Sequence, residues 1–168
     1  MSQVRNKVEW CLRKAGRELK DSDKHRGLVK IKVDTARAKE HIGKAEHYLK
    51  AAAYLKMGKF SDISASTLFY SMYHCLLAIA AKFGYESRNQ ECTFALIFHL
   101  IEVGEIKFEK DVLNRIASLD VKEAHEKVVD IREHYQYGTE LSMEDDLYEE
   151  LIELAKQTMA EAKEIIER

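Results

Sequence analysis

The chain has 168 residues, of which 46% are hydrophobic and 33% are charged, and it contains seven glycines and no proline. A domain of this length buries roughly 70% of its extended-chain surface without a disulfide or a metal, and the scarcity of turn residues excludes a loop-rich or all-β design and favours an all-α fold. The net charge of −2 conceals a basic segment, because residues 1–60 carry 16 lysines and arginines against 7 acidic residues. This segment either contacts phosphate or is neutralised by the acidic remainder of the chain.

Helical periodicity predicts an amphipathic first helix and five further helical segments. The first helix runs from about Gln3 to Leu19 and belongs to an N-terminal helical arm of residues 1–33. A turn and a short apolar strip from Leu28 to Val33 complete this arm. The conformation of the strip stays open at this stage.

A helical bundle is predicted over residues 34–168. Asp34 is placed to cap its first helix, which ends at Met57 and Gly58. The second helix, from about Ser61 to Phe83, is almost free of charge and is apolar nearly all round. It must therefore lie at the centre of the core or in a subunit interface.

The remaining helices follow in the second half of the chain. One spans about Asn89 to Glu102, and the next begins near Phe108, bends around Ser118 to Asp120 and continues to Gly138. The last begins with Ser142 as its N-cap. Short connections between these helices predict an up-and-down four-helix bundle with the first helix packed outside it.

The cysteines and the hydropathy pattern bear on localisation. Cys11, Cys75 and Cys92 are an odd number without a C-x-x-C pair, which favours reduced, buried thiols over disulfides or a zinc site. No run of eighteen apolar residues occurs, and the charged start from Met1 to Arg17 lacks the apolar core of a signal peptide. The sequence therefore predicts a cytoplasmic protein without a membrane span.

Common catalytic and cofactor motifs are absent from the sequence. It contains no P-loop, no dinucleotide-binding fingerprint, no H-E-x-x-H and no nucleophile elbow. His41 and His47 are six residues apart, and His125 and His134 are nine apart, so neither pair places two ligands on one helix face. We therefore expect neither a metal nor a cofactor.

Two clusters of polar and aromatic residues remain as candidate sites. In the second helix Tyr70, Tyr73 and His74 share a face at steps of three and four. They form either an aromatic core with paired polar tips or a binding site. In the fourth helix of the bundle, which ends at Gly138, Arg132 lies beside the face that is predicted to be buried. Its guanidinium suits a carboxylate of a neighbouring helix or a phosphate equally well.

With these clusters the chain resembles a HEPN domain (higher eukaryotes and prokaryotes nucleotide-binding) over about residues 34–168. The likeness lies in three stretches: Ala45 to Ala52, Phe69-Tyr70-Ser71-Met72-Tyr73-His74, and Arg132 to Tyr137. Similar stretches in the stand-alone prokaryotic branch read Tyr-Tyr-Ala-Met-Phe-His in the second helix and Arg-x-x-Ala-Asp-Tyr at the end of the fourth. Gln136 replaces the usual acid of that ending.

The resemblance implies a four-helix bundle with additional helices, a homodimer, and a minimal nucleotidyltransferase as the partner in a toxin–antitoxin pair. Catalytic relatives are metal-independent ribonucleases in which an Arg is followed, after four to six residues, by a His at the dimer interface. In this chain the corresponding positions hold Tyr137, Gly138 and Thr139. The missing imidazole removes the group best suited to move a proton near neutral pH.

We therefore expect a non-catalytic HEPN-type module that binds a nucleotide, RNA or a nucleotidyltransferase through Arg132, Tyr137, Tyr70, His74, Tyr73 and His134. The alternative is an endoribonuclease in which Arg132 stabilises phosphate charge and His74 or His134 moves the proton. A third interpretation is a structural assembly scaffold. For the homodimer we expect the charge-poor second helix, with Tyr73, at the interface.

Overall fold

The computed structural model describes residues 2–117 and 127–168, which form seven helices and one two-stranded sheet. In chain order the elements are α1 (Gln3–Asp21), β1 (Leu28–Lys30), α2 (Thr35–Met57), α3 (Ser61–Lys82), β2 (Tyr85–Ser87), α4 (Gln90–Glu102), α5 (Lys110–Ile116), α6 (Val128–Tyr137) and α7 (Asp145–Glu167). The predicted all-α class is confirmed, with the short sheet as an addition.

Helix α3 is the central element of the described structure. Of its 22 residues 14 are buried, and α2, α4, α6 and α7 all pack against it. The predicted position at the centre of the core is therefore confirmed. Because neighbours within one chain cover its apolar surface, that surface no longer argues for a subunit interface on this helix.

Helix α3 is also long and apolar enough to cross a membrane, as judged by its length and its mean hydropathy of 1.3. However, 67% of its most apolar 18-residue window is buried inside the protein. Such burial is typical of the core helix of a soluble protein, and the packing of α3 therefore accounts for its hydropathy.

A disulfide joins Cys11 of α1 to Cys92 of α4. The prediction of reduced thiols is wrong for these two residues, whereas Cys75 is a free thiol whose pKa is raised to about 12 by burial. Their spacing of 81 residues gives no signal, because only the packing of α1 on α4 brings the two Cα atoms to 5.8 Å. Disulfides persist in oxidising compartments, so the cytoplasmic prediction loses the support that it drew from the cysteines.

The apolar strip after α1 forms β1, which pairs antiparallel with β2 in the register Leu28 to Ser87. The turn before β2 requires a glycine. Gly84 has a φ of +76°, and a Cβ at this position would lie 2.9 Å from the carbonyl oxygen of Ile31. The sheet brings the residues after β2 next to the first turns of α2.

The boundaries of α2, α3 and α4 agree with the periodicity to within two residues. Asp34 caps α2 as predicted, because its Oδ1 accepts a hydrogen bond of 2.9 Å from the amide of Arg37. The predicted bend at Ser118 to Asp120 lies outside the described residues.

Helix α7 begins at Asp145 and its N-cap is Glu144, two residues later than the predicted cap. Ser142 is therefore not the cap. The reason is a tertiary contact, because Met143 is buried and its amide donates a hydrogen bond of 2.9 Å to Ser61 Oγ. The chain is thus packed against the start of α3 before the helix begins.

Candidate functional site

The side chain of Arg132 in α6 is turned toward the core. The residue is only 8% exposed, and its Cζ lies 4.6 Å from the centre of the Phe69 ring in α3. Nη2 donates to Glu133 Oε1 at 3.1 Å, whereas the buried Nε has no hydrogen-bond partner in the described part of the chain. The guanidinium therefore holds α6 against α3, and one buried donor remains unsatisfied at a cost of about 1–3 kcal/mol.

The two other predicted residues of α6 are open to solvent. Tyr137 is 77% exposed. His134 places its Nε2 3.3 Å from Glu140 Oε1, and its ring meets Tyr135 edge-on. Among the described residues, neither Tyr137 nor His134 shares a hydrogen bond, ion pair or ring contact with Arg132, so α6 does not assemble the three into one site.

Tyr70 and His74 lie on the side of α3 that faces α2. Tyr48 of α2 stacks on both rings, with centroid distances of 5.8 Å to Tyr70 and 5.6 Å to His74. His41, also in α2, places its Nδ1 3.0 Å from Nδ1 of His74. The four rings form a continuous row between the two helices, and we call this row the aromatic seam (His41, His74, Tyr48 and Tyr70).

The seam follows from helical spacing on two helices. His41 and Tyr48 are seven residues apart and Tyr70 and His74 are four apart, so the members of each pair share a helix face. All four residues are half-buried. The search for metal ligands considers only the spacing between histidines, so it does not single out His41 and Tyr48. The seven-residue spacing of this histidine and this tyrosine on one helix is the signal that would have identified them.

The surroundings of the seam favour neutral imidazoles. Burial, followed by the nearby His41 and Lys44, lowers the pKa of His74 to about 4. Burial and the nearby Arg37 also lower the pKa of His41, against an opposing effect of Glu40. In a neutral pair one Nδ1–H donates to the other Nδ1, which explains their hydrogen-bond distance.

Basic side chains border the seam. Lys44 Nζ lies 5.1 Å from the centre of the Tyr48 ring, and Arg37 is close enough to His41 to act on its pKa. Helix α2 carries five lysines and arginines against two glutamates. Aromatic rings beside cations are the combination that binds single-stranded nucleic acid, since bases stack on the rings and phosphates pair with the cations.

Tyr73 lies in a different environment from the seam. Its hydroxyl is 3.0 Å from Thr93 Oγ1 of α4, and its ring stacks on Phe69 and meets Phe94 edge-on. Burial raises the pKa of this tyrosine. Tyr73 thus packs between α3 and α4 of one chain, and its contacts with Phe69, Thr93 and Phe94 account for the residue without a second chain.

Metal ligands are not grouped in the described structure. Within residues 2–117 and 127–168, no cluster of three or more His, Cys, Asp or Glu side chains could hold a metal ion. The imidazoles of His41 and His74 supply two nitrogens, fewer than the three protein ligands of a catalytic zinc site. The seam is therefore best interpreted through stacking and hydrogen bonding.

The chain matches no protein-family model, and it matches no curated protein. Its function must therefore be argued from the residues of the site. Two of the predicted residues, Tyr70 and His74, lie in the aromatic seam, whereas Arg132 and Tyr73 pack against Phe69 on another side of α3.

Proposed function

We propose that the protein is a non-catalytic HEPN-type module that binds single-stranded RNA or a nucleotide through the aromatic seam. In this proposal α2, α3, α6 and α7 correspond to the four-helix bundle of residues 34–168. Packing of α2, α6 and α7 on α3 supports this correspondence. Helix α1 is the additional element in the arm of residues 1–33.

The observation that carries the proposal is the row of four rings. Neighbouring centroids are separated by 5.2 Å between His41 and His74, and by 5.6 Å and 5.8 Å from Tyr48 to its two neighbours. A half-buried row of this kind can still stack bases on the parts of its rings that solvent reaches, and each stacked base is worth about 1–3 kcal/mol. Leucines would fill the same space in a purely structural seam, whereas polar tips and adjacent cations favour a ligand.

Two features support a non-catalytic role. The pKa of His74, lowered to about 4, makes this residue a weak base near neutral pH. Arg132, the expected stabiliser of phosphate charge, is buried against Phe69 and bonded to Glu133. An endoribonuclease would need an effective base and an accessible guanidinium at the same phosphate.

The homodimer and the minimal nucleotidyltransferase implied by the resemblance remain part of the proposal, as does membership of a toxin–antitoxin pair. Tyr137, which is 77% exposed, and His134 are the predicted residues open to a protein partner. Sedimentation of the purified chain tests the homodimer. Coexpression with candidate nucleotidyltransferases tests the partner.

Fluorescence anisotropy with labelled single-stranded RNA tests the proposed ligand. We expect Tyr48→Ala to weaken binding by about tenfold or more, because it removes the central stacking ring. Tyr54→Ala is the matched control, since Tyr54 lies on the same helix, is 74% exposed and is outside the seam. The proposal fails if the wild-type protein binds neither RNA nor nucleotides, or if both variants bind like the wild type.

A cleavage assay distinguishes the enzymatic alternative. The wild-type protein incubated with RNA in EDTA should leave the RNA intact. Cleavage that disappears in both Arg132→Met and His74→Gln would replace this proposal with a metal-independent endoribonuclease.

A further inference from the structure

A small pocket lies at one end of the aromatic seam, where the first turns of α2 meet the end of α3 and β2. Its volume is about 70 Å³, and its lining includes the ionisable side chains of Arg37, His41, Glu86 and Arg88 together with the hydroxyl-bearing Tyr85 and Ser87. This space holds a few water molecules or one small oxyanion. It is far smaller than the roughly 300 Å³ at which pockets begin to enclose a whole organic ligand.

The charges around this pocket leave one guanidinium without a counterion. Glu86 Oε1 lies 3.0 Å from Nε2 of His25 and forms an ion pair with Nε of Arg88 at 2.9 Å. The hydrogen bond with His25, followed by the charge of Arg88, holds the pKa of Glu86 below its usual value against the effect of burial. Arg37 has no side-chain hydrogen bond or ion pair within the described ranges, so its guanidinium remains available to an anion, and Glu40 is the nearby charge that opposes one.

His41 connects the pocket with the seam. Its Nδ1 is engaged with Nδ1 of His74, which leaves Nε2 as the ring nitrogen for the pocket. When His74 donates its Nδ1–H, His41 carries its own proton on Nε2 and becomes a donor toward an anion. A single ligand can therefore place an anionic group in the pocket and aromatic groups on the seam.

We propose that this pocket binds the terminal phosphomonoester of a nucleotide whose bases stack on the aromatic seam. Arg37 supplies the unpaired positive charge, Arg88 is shared with Glu86, and His41 supplies a neutral donor. This inference rests on the proposed function and specifies its substrate class, namely a mononucleotide or a single-stranded RNA with a phosphorylated end. The pocket admits the phosphate alone, and the adjoining rings receive the bases.

Calorimetry with short RNAs tests the pocket. Three six-nucleotide adenylate RNAs carry a 5′ phosphate, a 3′ phosphate or no terminal phosphate, and AMP and adenosine serve as mononucleotide probes. We expect one phosphorylated RNA to bind about tenfold more tightly than the unphosphorylated RNA, as for a charge-assisted hydrogen bond. If AMP binds as tightly as that RNA, the ligand of the pocket is a mononucleotide. If AMP binds more weakly, the ligand is the phosphorylated end of an RNA.

Arg37→Gln should abolish the preference for the phosphate, so that the phosphorylated and unphosphorylated RNAs bind this variant with equal affinity. Arg115→Gln is the matched control, because Arg115 lies on α5, is paired with Glu150 and does not line the pocket. The phosphate-binding proposal fails if the wild type binds all three RNAs with equal affinity, or if the preference for the phosphate persists in Arg37→Gln. Either result would still be consistent with RNA binding at the seam. Absence of binding by every RNA and by AMP would overturn both.

Discussion

The pH dependence of stability provides a quantitative test of the His41–His74 contact. Protonation of His74 would place a positive charge within 3.0 Å of His41 Nδ1 and near Lys44. The folded protein therefore resists protonation, and the pKa of His74 is lowered to about 4 from the ordinary 6.5. Above about pH 6.5 the imidazole is neutral in both the folded and the unfolded protein, so stability is at its full value. As the pH falls from 6.5 toward 4, the unfolded protein binds a proton that the folded protein does not, and the free energy of unfolding decreases.

The expected magnitude follows from this pKa. Without solvent screening, lowering the pH from 7.5 to 5 would remove about 2 kcal/mol from the free energy of unfolding. Because the His74 side chain remains partly accessible to water, we discount this value for screening and expect about 1 kcal/mol. Urea denaturation at the two pH values measures the change.

Two variants isolate the contribution of His74. His74→Gln should reduce the loss of stability between pH 7.5 and pH 5 by about 1 kcal/mol relative to the wild type. His47→Gln, at an exposed position of the neighbouring helix α2, should leave that loss unchanged. If His74→Gln shows the same pH dependence as the wild type, the imidazole contact does not exist in solution.

Three further predictions concern the fold around the site. Reducing the Cys11–Cys92 disulfide, which spans 81 residues, should lower the free energy of unfolding by up to about 4 kcal/mol in urea denaturation; three reactive thiols in the unreduced protein would refute this disulfide. Arg132→Met should leave stability within about 1 kcal/mol of the wild type, because it removes a buried charge and an unsatisfied donor; loss of RNA binding in this folded variant would return the guanidinium to the binding site. Tyr73→Phe should cost about 1 kcal/mol in thermal denaturation through the lost hydroxyl contact with Thr93; a change in sedimentation at unchanged stability would place this residue at an interface instead.

Much of the fold was predictable because helix positions depend on local patterns. The Asp34 cap and the charge-poor α3 follow from neighbouring residues alone. The disulfide and the β1–β2 pairing join segments that are distant in sequence. Their residues carry no local signal for each other, and only the packed helices bring them together.

The site was predictable in part for a related reason. The spacing of Tyr70 and His74 on one helix predicts that these two residues lie together. Their partners, His41 and Tyr48, come from α2, so the seam depends on how two helices face each other. The inward rotation of Arg132 onto Phe69 depends likewise on tertiary packing.

Carbon–proton NMR spectra of the histidine rings during titration with single-stranded RNA test the seam most directly. The account predicts that the ring signals of His41 and His74 shift progressively with added RNA, whereas that of the exposed His47 remains in place. Saturable RNA binding that shifts the side-chain signals of Arg132 and Tyr137, and leaves the seam histidines unchanged, would contradict it.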